Sequence, residues 1–359
     1  MKILIVGAGV VGFHLAQELA SEKHDITVVD KNPEVLANVA SKLDVMAIHG
    51  NGTRPQILEK AGINSAEMIV AVTSSDEFNL VICLLASKYS VLKKVARIRK
   101  EEWFETGLFT KSELAIDRVI NTDRLIVNYV RKVIETPGLT DIAEFSYPGL
   151  SLLAFPVLAK SPIVGKKLAE LRRIFSFDDF IIATIYRDSK MIIPTRDDII
   201  REGDTCYILT NQEMVSFVLP IFSLSFEPVN SVVISGGNRT GLLIAKSLED
   251  TIPELLLIEP DKNKAEEAAE ALAKTRVIHG DPMDPDILDE SIISGVDIFI
   301  STGTEPRSNL LTSLLAKKRG ARKVIIITDE TEYLPVIDAI GLNVVINPRL
   351  MIASEILRY

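Results

Sequence analysis

The chain begins with a short apolar run that leads directly into a glycine-rich loop. Residues 2–6 (KILIV) precede Gly7–Gly12, of sequence GAGVVG, and apolar residues at helical spacing follow. Asp30 stands at the end of the next apolar run. A strand, a glycine loop, a helix and an acid after the second strand are the components of a dinucleotide-binding βαβ unit. This pattern restricts the start of the chain to a Rossmann-like fold.

Each residue type in this loop has a physical role in binding a nucleotide. Gly7 permits a tight turn, Gly9 lets the backbone approach phosphates, and Gly12 lets the helix pack on the strand. The free N–H groups of the first helical turn favour a pyrophosphate. Asp30 can accept hydrogen bonds from ribose hydroxyls and disfavours a 2′-phosphate, an exclusion that the neighbouring Lys31 weakens. The predicted cofactor-binding residues here are Gly7, Gly9, Val10, Val11, Gly12, Asp30 and Lys31.

Polar residues also follow the later apolar runs, which are predicted to be strands three to five of the same sheet. Open α/β sheets bind ligands at the carboxyl ends of their strands, where hydroxyl groups can meet phosphate or ribose oxygens. Arg97 lies in an otherwise apolar strand, where a guanidinium is unfavourable unless it pairs with an anion. That anion can be a ligand phosphate or a carboxylate at the sheet edge, and the sequence leaves both open. The further candidates are Asn51, Thr53, Thr73, Ser74 and Arg97, with Arg99 beside them.

The second half of the chain repeats the first. Residues 1–105 and 231–335 follow one pattern and match almost without gaps. Such a repeat indicates a domain duplication that yields two Rossmann units in tandem. The matched segments are 3–7 with 232–236, 28–32 with 257–261, 47–51 with 277–281, and 69–73 with 298–302; Gly12 also matches Gly241, and Asn79 matches Asn309.

The second unit carries a degraded version of the glycine loop. Gly236–Gly241 (GGNRTG) keeps the outer glycines, but Asn238 replaces the middle one. Asn tolerates a positive φ better than most residues, so the turn is expected to survive while phosphate approach becomes harder. Arg239 adds a positive charge, and Ile327 stands where the first unit has an arginine. The predicted residues of this less certain second site are Gly236, Asn238, Arg239, Gly241 and Glu259, the last in place of Asp30.

The residues between the two units have a different pattern, with β-rich segments and no glycine loop. The predicted fold class is α/β, with two Rossmann-like doubly wound parallel-sheet domains in tandem and a small α+β lobe between them. A helix over 121–136 leaves the first unit. The predicted domains are 1–136 (the first Rossmann domain with this crossover helix), 137–226 (the lobe) and 227–359 (the second Rossmann domain).

Composition excludes several classes of protein. A net charge of −9 argues against a nucleic-acid partner. Two cysteines without CxxC spacing exclude a disulfide framework or a recognisable Cys/His metal site, and they fit a reducing cytoplasm. No apolar run approaches the roughly 20 residues that a membrane-spanning helix needs. His49 and its counterpart His279 are interpreted as core histidines, and no catalytic acid–base pair is recognised.

Five parts of the sequence form a recognisable set: 6–12 (VGAGVVG), 72–79 (VTSSDEFN), 96–99 (ARIR), 193–194 (IP) with 201–204 (REGD), and 345–349 (VINPR). With these segments the chain resembles the TrkA family of bacterial and archaeal potassium-uptake regulators, which are built from tandem RCK (regulator of potassium conductance) units. The resemblance extends over essentially the whole chain, because order, spacing and the intervening lobe all agree.

The resemblance implies a regulatory protein rather than an enzyme. In that family a cytoplasmic ring of RCK domains docks beneath a Trk-type membrane potassium channel subunit, and NAD(H) or ATP/ADP in the Rossmann clefts biases the ring between gating conformations. It implies that Gly7, Gly9, Gly12, Asp30, Thr73, Ser74 and Arg97 contact the nucleotide, with NAD(H) favoured. It further implies that helix 121–136 mediates pairing of RCK units into dimers and a ring, at the inner face of the cell membrane.

Two points remain open at this stage. The family pattern has a second small lobe after the second Rossmann unit, and this sequence ends at Tyr359 before one; a truncated chain and a short family member both fit. An NAD-dependent oxidoreductase that uses the middle lobe as its substrate domain is the alternative function. Its sequence support is weak, since that lobe shows no acid–base residue with a credible partner.

Overall fold

The first Rossmann domain is a six-stranded parallel sheet with helices on both faces. The computed structural model describes residues 1–100, 103, 110, 112–136, 138–144, 150–175, 181–188, 190–211, 214–222, 228–292, 295–333, 336–337, 340, 342 and 344–357. The strands are β1 (Lys2–Val6), β2 (Asp25–Asp30), β3 (Met46–His49), β4 (Met68–Ala71), β5 (Lys93–Arg97) and β6 (Arg118–Ile120), in the order β3-β2-β1-β4-β5-β6. The helices are α1 (Val10–Ser21), α2 (Pro33–Lys42), α3 (Pro55–Lys60) and α4 (Asp76–Ala86), with a 3-10 turn at Ile63–Ser65.

Both faces of this sheet are buried, which explains its continuous apolar runs. Ile3 and Ile5 of β1 pack into the core on one face, and Leu4 and Val6 pack into the core on the other. Side chains alternate between the two faces along a strand. When both faces are buried, every position of the strand is therefore apolar.

The lobe that follows is an antiparallel sheet of five strands. They are β7 (Asp141–Glu144), β8 (Leu150–Pro156), β9 (Ile181–Arg187), β10 (Lys190–Ile192) and β11 (Thr205–Asn211), in the order β10-β9-β11-β8-β7. Its helical segments are α6 (Leu168–Phe175), α7 (Val215–Val218) and a 3-10 turn at Leu219–Phe222. The predicted hairpin after residue 180 is confirmed as the β9–β10 pair. Arg187 and the buried Asp204 form an ion pair at 2.6 Å that joins the hairpin to the turn before β11.

The second Rossmann domain has the strand order of the first. Its strands run β14-β13-β12-β15-β16-β17, so the predicted duplication and fold class are confirmed. They are β12 (Ser231–Ser235), β13 (Glu254–Glu259), β14 (Arg276–His279), β15 (Ile298–Ser301), β16 (Lys323–Ile327) and β17 (Val344–Ile346). The helices are α8 (Arg239–Leu248), α9 (Lys262–Ala271), α10 (Pro285–Ile292) and α11 (Pro306–Lys318), with a 3-10 turn at Thr331–Tyr333. Over the described ranges, no helix is long and apolar enough to cross a membrane.

The helices that follow β6 and β17 define how the chain divides into compact units. One unit comprises Met1–Leu125 with Asn347–Tyr359, and the other comprises Ile126–Ile346. The last helix, α12 (Pro348–Leu357), therefore belongs to the unit of the first sheet. Its Ile352 and Ile356 share a core with Leu15 of α1. The helix α5 (Thr122–Glu135) begins in the first unit, and most of its length belongs to the second.

Lys323, the first residue of β16, contacts the end of α5 within the second unit. Its Nζ donates to the carbonyl oxygen of Leu139 at 3.0 Å and lies 3.4 Å from that of Val133, in the last turn of α5. A cation there satisfies carbonyl groups that the helix leaves without partners. Burial lowers the pKa of Lys323 from 10.5 to about 8.

The turn from β1 into α1 depends on two glycines that lie against each other. Gly7 has a φ of +110°. A Cβ at Gly12 would lie 1.8 Å from the carbonyl oxygen of Gly7. The second unit repeats this contact, with Gly241 and the oxygen of Gly236 at 1.9 Å by the same measure. The predicted packing role of the last glycine in each loop follows from this geometry.

We expect Gly12→Ala to lower the free energy of unfolding by about 3 kcal/mol, since the added methyl group must displace backbone. Gly9→Ala is the control, because a Cβ there meets nothing within 4 Å. It should cost no more than about 1 kcal/mol, the N-cap preference of Gly over Ala. Urea unfolding followed by circular dichroism measures both, and equal losses would contradict the packing role.

We expect Lys323→Met to change how stability depends on pH. The folded-state pKa of about 8 lies below the ordinary 10.5, so the unfolded chain binds one more proton between these values. The free energy of unfolding therefore rises with pH across this window, and below it the cost of burying the cation is fully present. Lys323→Met should lack this rise, which is about 2 kcal/mol between about pH 7.5 and pH 9.5.

Urea unfolding at these pH values gives the difference between wild type and Lys323→Met. The buried thiols of Cys83 and Cys206 are present in both proteins, so their contribution cancels. Parallel pH profiles for the two proteins would show that Lys323 does not titrate in this range.

Candidate nucleotide-binding site

Asp30 fastens the glycine loop of the first unit to the end of β2. One carboxylate oxygen accepts from the backbone N–H of Ala8 at 2.6 Å, and the other accepts from that of Asn32 at 2.8 Å. The side chain is half-buried. A carboxylate has about four acceptor positions, so capacity for ribose hydroxyls remains beside the loop.

The start of α1 has the form of an anion-binding helix terminus. Gly9 is the N-cap and no side chain caps the helix there. The first N–H groups of an uncapped helix have no internal partners and carry a partial positive charge. Gly9 is exposed, and the space that its Cβ would occupy is empty to 4 Å. A phosphate can therefore approach the N–H groups of Val10 and Val11 directly.

A buried asparagine holds the ends of β4 and β5 together. The Asn79 side-chain oxygen accepts from the backbone N–H of Thr73 at 2.9 Å and from its hydroxyl at 2.7 Å. The Asn79 side-chain nitrogen donates to the carbonyl oxygen of Arg97 at 2.7 Å. The Thr73 hydroxyl thus donates to Asn79, and it also accepts from the backbone N–H of Ser75 at 3.3 Å, which leaves one acceptor position for a ligand. The sequence analysis missed this role of Asn79, for which the only signal was the same residue at Asn309 in the repeat.

Arg97 ends β5 at the same edge of the sheet. Its Nε is buried without a hydrogen-bond partner among the described residues. Burial lowers the pKa of Arg97, the charge of Arg99 lowers it further, and Asp76 and Asp123 partly offset both effects. One oxygen of Asp76 is already engaged by the backbone N–H groups of Arg99 and Lys100, each at 2.9 Å. An anionic ligand at this edge would supply the partner that Arg97 Nε lacks.

The remaining predicted residues differ in how far their side chains are available to a ligand. Ser74 is exposed beside the loop, and its carbonyl oxygen accepts from the Arg99 guanidinium at 2.9 Å. The Asn51 side chain accepts from the Thr53 hydroxyl at 2.9 Å after β3. The side chain of Val11 packs against the core instead, so only its backbone faces the loop. Lys31 and Val10 are exposed.

The second glycine loop is closed by its own side chains. Asn238 has φ −66° and ψ 173°, so the expected turn survives without the positive φ that Asn was expected to tolerate there. Its side-chain oxygen caps α8 by accepting from the N–H of Gly241 at 3.0 Å, and its side-chain nitrogen donates to the carbonyl oxygen of Thr302. Glu259 is buried and accepts from the N–H of Gly237, while Arg239 is exposed.

The sheets also correct the alignment of the two repeats. Met68 and Ile298 lie beside equivalent residues of β1 and β12, so they are counterparts, whereas the sequence match pairs Ile298 with Ile69. The true counterpart of Thr73 is therefore Gly303, and the second unit has no hydroxyl at this position. Apolar strands read alike in either register, which explains the one-residue error.

Two further expectations concern titratable groups. His49 and His279 are exposed, so their interpretation as core histidines is wrong; each ring nitrogen lies near the equivalent carbonyl oxygen, 3.0 Å from that of Lys31 and 3.2 Å from that of Pro260. In the part of the chain that the structure describes, no three His, Cys, Asp or Glu residues are grouped as a metal site would require.

Two duplicated parallel sheets, separated along the chain by an antiparallel lobe, and an open glycine loop in the first define a tandem Rossmann protein. The TrkA-N domain family model matches residues 3–122 and 232–348, and the TrkA-C domain model matches 152–223. The chain is 32% identical over 362 residues to the Trk system potassium uptake protein TrkA of Vibrio alginolyticus, covering 100% of this chain and 79% of the relative. A TrkA homologue of Methanosarcina mazei is 30% identical, with coverages of 100% and 89%. The chain therefore belongs to the TrkA family of potassium uptake proteins.

Solved structures show the same fold. A structure described as the GsuK RCK domain matches with a TM-score of 0.70 at 17% identity, covering 99% of this chain and 75% of its own. The GsuK channel bound to NAD matches with a TM-score of 0.71 at 18% identity, with coverages of 99% and 62%. The predicted resemblance to tandem RCK units is confirmed.

We expect Arg97→Met to raise the free energy of unfolding of the nucleotide-free protein by about 1 kcal/mol, because it removes a desolvated guanidinium whose Nε has no partner. Arg99→Met is the control and should lower it, since that guanidinium bonds Ser74. Urea unfolding without nucleotide measures both. A loss for Arg97→Met equal to that of the control would show that Arg97 is structural.

Proposed function

We propose that this protein is the cytoplasmic, nucleotide-binding regulatory subunit of a Trk-type potassium uptake system. The observation that carries the proposal is the uncapped N-terminus of α1, with open space over Gly9. The half-buried carboxylate of Asp30 lies beside it and is hydrogen-bonded to the loop. Membership of the TrkA family supports the link to potassium uptake.

The ligand that fits this edge is a nucleotide with two or more phosphates. The helix terminus takes one phosphate, Asp30 takes the ribose hydroxyls, and Arg97 takes a further anionic or polar group along the sheet edge. NAD(H) is the favoured ligand and ATP or ADP is the second choice. GsuK structures described as bound to NAD and to ADP support nucleotide binding on this fold.

Regulation requires that nucleotide binding differ between two conformations of the protein. The glycine loop leads directly into α1. Leu15 of α1 packs in one core with Ile352 and Ile356 of α12. Arg118 and Glu355 add an ion pair between β6 and the same helix. A ligand that orients the start of α1 can therefore bias the position of α12. We propose that this bias is transmitted to a Trk-type membrane channel subunit at the inner face of the membrane.

Self-association into dimers and a ring is part of the proposal. The helix α4 carries exposed apolar residues at helical spacing, with Phe78 41%, Val81 40% and Leu84 38% exposed. Leu92, in the connection to β5, is 75% exposed. A grouped apolar surface of this kind is typical of a protein–protein interface, and a second copy of the chain is the partner that we propose.

The oxidoreductase alternative has less support. Tyr-x-x-x-Lys, the spacing of the catalytic pair of short-chain dehydrogenases, occurs twice in the sequence, at Tyr89/Lys93 and at Tyr186/Lys190. Tyr186 and Lys190 lie on the two strands of the β9–β10 hairpin rather than on one helical face. Tyr89 of the other pair donates to Glu59, at 3.0 Å, on the surface. Neither pair is arranged to act on a nicotinamide.

The proposal predicts that Asp30→Ala weakens binding of NADH, NAD, ATP and ADP by about tenfold or more, because it removes the ribose acceptor and loosens the loop. Asp25→Ala, at the opposite end of β2 and exposed, is the matched control and should bind normally. Calorimetric titration measures affinity, and potassium flux through vesicles containing the Trk membrane subunit measures regulation. Flux should respond to nucleotide with wild type and Asp25→Ala, and not with Asp30→Ala.

Two outcomes would contradict the proposal in different ways. Unchanged affinities for all four nucleotides in Asp30→Ala would show that the site is wrongly located. Steady oxidation of NADH with a small carbonyl substrate would show that the protein is an enzyme.

A further inference from the structure

The two glycine loops share a backbone but differ in how their hydrogen-bonding groups are used. In both, the first glycine has a φ near +110° and the last lies against its carbonyl oxygen. The N-cap residues Gly9 and Asn238 also share one conformation, with φ of −59° and −66°. The difference is therefore in the side chains and not in the turn.

In the second loop the Asn238 side chain engages one of the N–H groups at the helix terminus where a phosphate would bind in the first. Its oxygen accepts from the N–H of Gly241, the third residue of the helix. The equivalent donor, on Gly12, has no side-chain cap. The Asn238 nitrogen donates to the carbonyl oxygen of Thr302, which follows β15. The side chain thus spans β12 and β15, the crevice at which open α/β sheets bind ligands.

The other groups around the second loop have also lost the features that an anionic ligand needs. Glu259 is 5% exposed and packs on Gly237, so its carboxylate is less available than that of the half-buried Asp30. Gly303 stands in place of Thr73, and Ile327 stands in place of Arg97. The Gly241 N–H is used internally, and the hydroxyl and the strand arginine of the first site are absent; Arg239 is a cation that remains beside the second loop.

Resting on the proposed function of the first loop, we propose that Asn238 is a built-in substitute for the ligand phosphate, so that each chain binds one nucleotide and only the first unit responds to it. The N-cap residue determines whether a unit can bind a nucleotide. Gly9 leaves the helix terminus open for a phosphate, whereas the side chain of Asn238 occupies it. The second Rossmann unit therefore keeps one conformation at every nucleotide concentration, whereas the first responds to the nucleotide.

Calorimetric titration of the full chain with NADH tests the stoichiometry. We expect one NADH per chain in wild type, and no site of wild-type affinity in Asp30→Ala. Two NADH per chain, or one bound with wild-type affinity in Asp30→Ala, would overturn the inference while leaving nucleotide binding intact. No binding to wild type would instead contradict the proposed function.

Thermal unfolding of Gly9→Asn, Gly9→Ala and Asn238→Ala tests the substitution itself, whatever the affinity for NADH. Gly9→Asn should raise the unfolding midpoint by about 1 °C, because Asn caps the helix slightly better than Gly, whereas Gly9→Ala should lower it by about 2–4 °C. Asn238→Ala should lower it by a similar amount. Gly9→Asn should also weaken NADH binding by about tenfold or more.

The reverse results would overturn the inference. An unchanged midpoint in Asn238→Ala would show that the hydrogen bonds of its side chain do not stabilise the protein. A lowered midpoint in Gly9→Asn would show that the carboxamide does not fit the first loop. Wild-type affinity for NADH in Gly9→Asn would show that a carboxamide and a phosphate do not compete for the same donors.

Discussion

The close contact between Gly7 and Gly12 is the constraint on which the first unit depends. With a Cβ at Gly12, the helix could not start directly against the carbonyl oxygen at the end of β1, since the two atoms would lie 1.8 Å apart. The contact aims the N-terminus of α1 across the edge of the sheet, beside Asp30 and the end of β4. It also fixes the flank of α1 that packs on α12 in a shared core. A local backbone requirement thereby sets the position of the proposed nucleotide site and of the helix surface that packs beside it.

Much of the fold could be predicted because its signals are local in the sequence. The glycines, the acid after β2 and the uninterrupted apolar strands each reflect a requirement of their own neighbourhood. The contacts of Asn79 could not be predicted in the same way, because they join the ends of β4 and β5 through side-chain geometry. The register of Gly303 against Thr73 was missed because apolar strands carry no marker of register. The exposed His49 shows that an apolar flank in sequence does not ensure burial.

The duplication explains why one sequence pattern has two physical outcomes. Both halves keep the glycines that the turn requires, since losing either would break the strand–helix connection. The N-cap position is free of that requirement, because its backbone conformation suits any residue. Gly9 leaves the helix terminus open, and Asn238 satisfies it. Binding capacity can therefore be lost in one copy while the fold of both is preserved.

A crystal structure of the protein with NADH tests the central claim most directly. The account predicts the pyrophosphate at the N–H groups that follow Gly9, a ribose on Asp30, and Asn238 still bonded to Gly241 in a second loop without nucleotide. A pyrophosphate in the second loop, with the Asn238 side chain displaced, or a nucleotide bound away from both loops, would contradict it.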